Sequence, residues 1–175
     1  MHTLIVGARG VGKSTLIRRV LEELNVSLCG FETKKEKNME HPIYGDPVFI
    51  YEVGVPKQQT EENRIGYCKD RHPLMGKEIF DRYAKKLKNL PSDKDMILLD
   101  EIGFMESCSP EFCEAILALL DGDRPIIAAV KNKEFPFLEA VRSHPNCRCF
   151  VINSENRDEL VEQVLEFTRQ QLIKA

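Results

Sequence analysis

The chain has 175 residues, 42% of them hydrophobic and 30% charged, with a net charge of −3. That length suits one domain with a substantial core, and the mild acidity argues against nucleic acid as the main partner. No apolar run approaches the roughly 20 residues of a membrane span; the reading is a cytoplasmic protein with no membrane partner, in which Cys29, Cys68, Cys108, Cys113, Cys147 and Cys149 are free thiols.

Residues 3–6 form a short buried strand. Leu16, Ile17, Val20, Leu21 and Leu24 then fall on one side of a helix over 14–24. A second strand over 26–32 leads into a charged, exposed segment at 34–37. "PVFIYEV" at 47–53 and "RIGYCK" at 64–69 read as strands around a polar loop. With no helix between them, they predict a β-hairpin excursion around residues 45–70. Ile79, Phe80, Tyr83 and Leu87 mark a helix over 76–90, followed by a buried strand at 95–100. A helix over 110–120 carries Pro110 in its first turn. Then come a strand at 125–130, a helix over 134–142 interrupted by Pro136, and a strand at 149–152. The closing helix runs from Asn156 to about residue 173, with Asn156 and Glu159 at the spacing of a capping box. The alternation predicts an α/β fold: a mainly parallel sheet flanked by helices in three layers, with residues 1–175 as a single domain.

Residues 7–15, "GARGVGKST", match G-x-x-x-x-G-K-[ST], the phosphate-binding loop. A chance match in this length is roughly a one-in-two-hundred event, and here the string lies between a predicted strand and a predicted helix. Gly7, Ala8, Arg9, Gly10, Val11, Gly12, Lys13, Ser14 and Thr15 are the candidate nucleotide-binding residues. Glycines let the backbone turn its N–H groups toward phosphate oxygens. Lys13 brings a positive charge to the terminal phosphates, and the Ser14 hydroxyl suits Mg²⁺. The loop makes the domain a nucleotide-binding one.

A second constellation lies at 97–107, "ILLDEIGFMES". Its apolar strand ends on two adjacent carboxylates at the carboxyl edge of the sheet, where ligands of parallel sheets bind. Asp100 is the candidate partner, with Ser14, for Mg²⁺; Glu101 is the candidate catalytic residue that handles the attacking water, beside Lys13.

"GARGVGKSTL" at 7–16, "GFET" at 30–33, "LLDEIGFMES" at 98–107 and "NRDEL" at 156–160 together resemble the small P-loop nucleoside-triphosphatases, the family of the human cancer-related nucleoside-triphosphatase. The resemblance touches both ends and the middle of the chain and leaves a gap at about 40–90. It implies a Mg²⁺-dependent enzyme that hydrolyses ATP or GTP to the diphosphate and phosphate, with broad base preference and slow turnover. It also implies a strand between the Gly7-bearing and Asp100-bearing strands, and it places Asn156 and Arg157 near the base. One departure stands out: the family's usual string has Lys where this chain has Phe104, so any charge supplied from that position is missing.

Two other classes fit the same motifs. A small-molecule or nucleoside kinase would need a lid of arginines, for which Arg64, Arg71 and Arg82 are the candidates, with "CKDRHP" at 68–73 as a mobile loop. A regulatory nucleotide-binding module with guanine choice would show N-K-x-D, but "NKEF" at 132–135 lacks the Asp. The transition state of a P-loop hydrolase also needs a positive charge, often an arginine. Arg9 can supply it in cis or be a solvated loop residue; otherwise an unidentified activating protein would have to provide it.

Overall fold

In the computed structural model, which describes residues 1–69 and 72–174, β1 (His2–Gly7) is buried at all six positions. A strand with apolar residues on both sides needs a helical layer on each face, and the chain supplies both. Leu4 and Val6 point into one core cluster and Ile5 into the other, as strand alternation requires. In chain order the further elements are α1 (Lys13–Leu24), β2 (Leu28–Lys35), β3 (Asp46–Glu52), β4 (Arg64–Lys69), β5 (His72–Met75) and α2 (Lys77–Leu87). After these come β6 (Met96–Ile102), α3 (Pro110–Leu120), β7 (Ile126–Lys131), α4 (Pro136–Arg142), β8 (Cys147–Val151) and α5 (Arg157–Lys174).

All eight strands join one sheet in the order β5-β4-β3-β2-β6-β7-β1-β8. The five from β2 to β8 in that order are parallel to their neighbours. Helices α1 and α5 pack together over one face, where Leu16, Ile17, Leu160 and Val164 meet Ile5, Ile127 and Ala129. The other face is covered by α2, α3 and α4. There Phe112 is fully buried with its ring centroid 5.6 Å from that of Phe31 and 5.1 Å from that of Phe80. This is the expected three-layer α/β arrangement. As the resemblance implied, one strand, β7, stands between β6 and β1.

The expected hairpin excursion is larger than read and is not separate from the sheet. β3, β4 and β5 continue the sheet beyond β2 as antiparallel strands. The charged segment read as exposed is partly strand, because Lys35 is paired with Asp46 of β3 at 2.7 Å and Lys34 with Glu36 at 3.1 Å. Within "CKDRHP", Lys69 ends β4 and His72 starts β5; Asp70 and Arg71 lie outside the described residues. Pro136 opens α4 instead of interrupting it, which is where a residue without an N–H does least harm. The capping box at Asn156 does not form. Its Oδ1 accepts from Asn153 N at 2.9 Å and its Nδ2 donates to Val151 O at 2.8 Å, so the amide is used up inside its own turn.

Candidate active site

Parallel pairing places the carboxyl ends of β1, β2, β6 and β7 side by side, and the loop after β1 leads into α1 at that edge. Gly12 caps that helix with φ 110°, a left-handed conformation costly for any residue with a Cβ. No side chain caps α1 and its first turn holds no acid, leaving free N–H groups and the positive end of the helix dipole for an anion. Ala8, Arg9, Gly10, Ser14 and Thr15 are exposed along this loop, whereas Gly7 is buried and Val11 half-buried.

Lys13 is 4% exposed. A buried ammonium survives only when its protons are used, and all three are. Nζ donates to Gly7 O at 3.0 Å and to Ala8 O at 2.9 Å, and it pairs with Glu101 Oε2 at 3.0 Å. The Ser14 hydroxyl donates to Asp100 Oδ1 at 2.9 Å. Residues 86 positions apart in the chain are thus joined as the two motifs predicted.

The two carboxylates have different settings. The β6–β7 register shifts between Asp100 and Ile102. The shift leaves Glu101 out of the ladder with β7, and its N–H donates instead to Thr33 Oγ1 of β2 at 3.1 Å. Its side chain lies between two lysines, Lys13 at Oε2 and Lys131 at Oε1, 3.1 Å away. Asp100 has no such cation. Burial pushes its carboxyl up to about 6; the Ser14 hydroxyl and, more weakly, the charge of Lys13 oppose this, and the nearby charges of Glu101 and Glu32 add to it. A hydroxyl and a carboxylate short of positive charge form a donor set suited to a hard divalent cation. Among the described residues no group of three or more His, Cys, Asp or Glu stands ready to hold a metal alone, so phosphate oxygens and water would have to complete such a site.

Beyond Glu101 lies a cavity of about 700 Å³. The loop from Gly7 to Gly10 forms one wall; Thr33, Lys35, Val48 and Cys68 form another. Phe104, Met105 and Lys131 to Lys133 close the third side. Position 104 supplies no charge of its own, as expected, but two lysines stand beside it. The ring itself bears none, but Lys131 Nζ lies 5.6 Å and Lys133 Nζ 4.5 Å from its centroid, within cation–π range.

Arg9 lines this cavity from the exposed loop. Arg157 stands on another side of the loop, so close that a Cβ at Gly12 would be 3.1 Å from its Nε. Asn156 is next to it in sequence, but its amide faces its own turn. Of the arginines considered for a lid, Arg64 pairs with Glu61 at 3.5 Å and Arg82 donates to Glu62 O at 3.3 Å, while Arg71 lies outside the described residues. Tyr44 and Tyr67 pack with His41 in a separate aromatic cluster, and Tyr51 is buried with its hydroxyl on Glu36.

The profile of a family described as NTPase matches residues 2–165, nearly the whole chain. This chain belongs to the NTPase family. It is similar to the nucleoside-triphosphatase THEP1 of Thermotoga maritima, at 28% identity over 172 residues covering 94% of each chain. Two solved structures share the fold: THEP1 from Aquifex aeolicus, with TM-score 0.60, 23% identity and coverage of 96% of this chain and 99% of that one; and a human cancer-related nucleoside triphosphatase, with TM-score 0.66, 24% identity and 97% coverage of both. In this NTPase the sequence reading missed Thr33, which holds Glu101, and Lys131, which pairs with it. A signal for Lys131 was present: "IIAAVK" is an apolar strand ending in lysine at the edge where parallel sheets bind ligands.

Proposed function

We propose that this NTPase hydrolyses nucleoside 5′-triphosphates, ATP or GTP with broad base preference, to the diphosphate and phosphate, with Mg²⁺ as the cation. The observation that carries the reading is the Glu101 carboxylate held 3.0 Å from Lys13 at the mouth of the phosphate loop. A water-handling base must stand where the γ-phosphate ends, and Lys13 marks that place.

In this reading the triphosphate takes the N–H groups of Gly7 to Thr15, and Lys13 turns from Gly7 O, Ala8 O and Glu101 to the phosphate oxygens. Ser14 and Asp100 would hold Mg²⁺, directly or through water, and the cation would supply positive charge against the triphosphate. Glu101, kept in place by Thr33, orients a water and takes its proton. The new bond from water oxygen to phosphorus forms as the bond to the β–γ bridging oxygen breaks, and the diphosphate leaves with that electron pair. Arg157, against Gly12 and away from the large cavity, suits the ribose and base side, with Asn156 shaping the turn that carries it. The six free cysteines suit a cytoplasmic setting, and no helix among the described residues is long and apolar enough to cross a membrane.

The test is phosphate release across the common triphosphates, with candidate acceptors first omitted and then added. Expected is release without any acceptor, abolished in Lys13→Ala and lowered on the order of 10²- to 10⁴-fold in Glu101→Gln. Phosphate that appears only on an added small molecule would replace this reading with a kinase.

A further inference from the structure

Glu101 has two partners, and only one belongs to the phosphate loop. The other, Lys131, is the last residue of β7 and lies in register with Gly7 of β1. Its carbonyl accepts from Arg142 Nη1 at 3.0 Å, and the next amide, Asn132 N, donates to Gly7 O at 3.3 Å. The base of this side chain is therefore tied to the start of the loop. Its stem crosses Gly103, where a Cβ would stand 3.1 Å from Nζ and 3.2 Å from Cδ. The tip reaches Glu101 Oε1 at 3.1 Å while Lys13 holds Oε2 at 3.0 Å. One carboxylate thus bridges two ammoniums, and both it and Lys131 line the 700 Å³ cavity.

A triphosphate entering the loop brings several negative charges against the single charge of Glu101. We propose that Lys131 is a catalytic residue whose ammonium moves from Glu101 onto the γ-phosphoryl oxygens when the triphosphate binds, supplying in cis the positive charge of the transition state. The inference rests on the hydrolase reading above. It gives one event two effects. Moving Lys131 places charge where it develops as the bond to the leaving oxygen breaks, and it frees Oε1 of Glu101 to accept the water proton. The other candidate cations are less well placed. Arg9 sits on the exposed loop, and Lys133 is exposed and held against the Phe104 ring at 4.5 Å. Lys131 is 23% exposed, and its backbone and stem are anchored at the cavity edge, so only its tip has to shift to reach the phosphoryl group. With this charge in cis, turnover does not depend on an activating protein.

The test compares Lys131→Met and Lys131→Arg with the wild type in steady-state phosphate release, in binding of a non-hydrolysable triphosphate analogue, and in trapping of the diphosphate with aluminium fluoride. Expected in Lys131→Met is a kcat lower by on the order of 10²- to 10³-fold, with analogue affinity within about threefold, which also reports a folded site. Lys131→Arg, which keeps the charge, should recover a substantial part of the loss. The decisive arm places Lys131→Met in a Glu101→Gln background, where the ion pair is already gone. Loss of fluoride trapping there supports direct contact with the phosphoryl group; unchanged trapping means that Lys131 acts only through Glu101 and overturns the inference. A kcat for Lys131→Met within about threefold of wild type also overturns it and leaves the hydrolase reading standing. A wild-type chain that releases no phosphate from any triphosphate sinks both.

Discussion

Glu106 sits directly behind the site and tests whether its electrostatics are as described. It is 3% exposed, and its Oε2 has no hydrogen-bond partner among the described residues. Burial pushes its carboxyl from 4.5 up to about 7, against the smaller pull of the Glu106 and Gly103 N–H groups and the charge of Lys131. The sign follows from proton linkage. Between pH 4.5 and 7 the folded chain holds a proton that the unfolded chain has lost, so stability falls as pH rises through that window and levels off above it. The gap of about two and a half pH units, at about 1.4 kcal/mol each, makes the loss about 3 kcal/mol. Glu106→Gln keeps the size and the acceptor oxygen but cannot ionise. Urea denaturation should therefore find the variant close to wild type at pH 5 and more stable by about 3 kcal/mol at pH 8. With an m-value of about 2 kcal/mol per molar urea, the midpoint at pH 8 moves up by about 1.5 M. Using the difference between the two proteins at each pH cancels every other titrating group. An equal difference at both pH values, or a variant weaker at pH 8, would refute the reasoning.

Two further substitutions separate the metal from the scaffold. Asp100→Asn keeps an acceptor for the Ser14 hydroxyl but removes the charge, so the Mg²⁺ concentration for half-maximal phosphate release should rise on the order of 10- to 100-fold. Because burial holds the Asp100 carboxyl up at about 6, the same change should stabilise the nucleotide-free fold at pH 8, where a merely structural carboxylate would lose stability on neutralisation; thermal denaturation without nucleotide decides between them. Phe112→Ala, at a fully buried ring between Phe31 and Phe80, should cost about 3–5 kcal/mol in urea denaturation. Activity per folded molecule should be unchanged, since Phe112 does not line the cavity.

What could be read in the sequence, and what could not, divides along a physical line. The phosphate loop is contiguous, and its glycines, lysine and serine each answer a local demand, so its geometry follows from nine residues in a row. Asp100 was legible because a buried strand ending in acid has few other uses at that edge. The antiparallel extension was only half seen: "HPLM" is too short and too poor in β-formers to announce β5, and the charges of β2 hid a strand whose lysines are paired. The capping box failed because Asn156 had a nearer set of partners in its own turn, a competition that spacing alone does not decide. Thr33 and Lys131 were harder to assign for a different reason. Thr33 ends the "GFET" string and Lys131 an apolar strand, but neither string names a partner, and each meets Glu101 only because the sheet order sets β2 on one side of β6 and β7 on the other. The same order bears on Phe104, where the resemblance implied a lysine and this chain has an aromatic ring. Phe104, three residues past the acidic pair, and Lys131, at the end of β7, line the same cavity, so under the proposal above β7 supplies from its end the charge that Phe104 lacks. On that proposal, a position that looks short of charge along the chain is served, across the sheet, by the ammonium of a neighbouring strand.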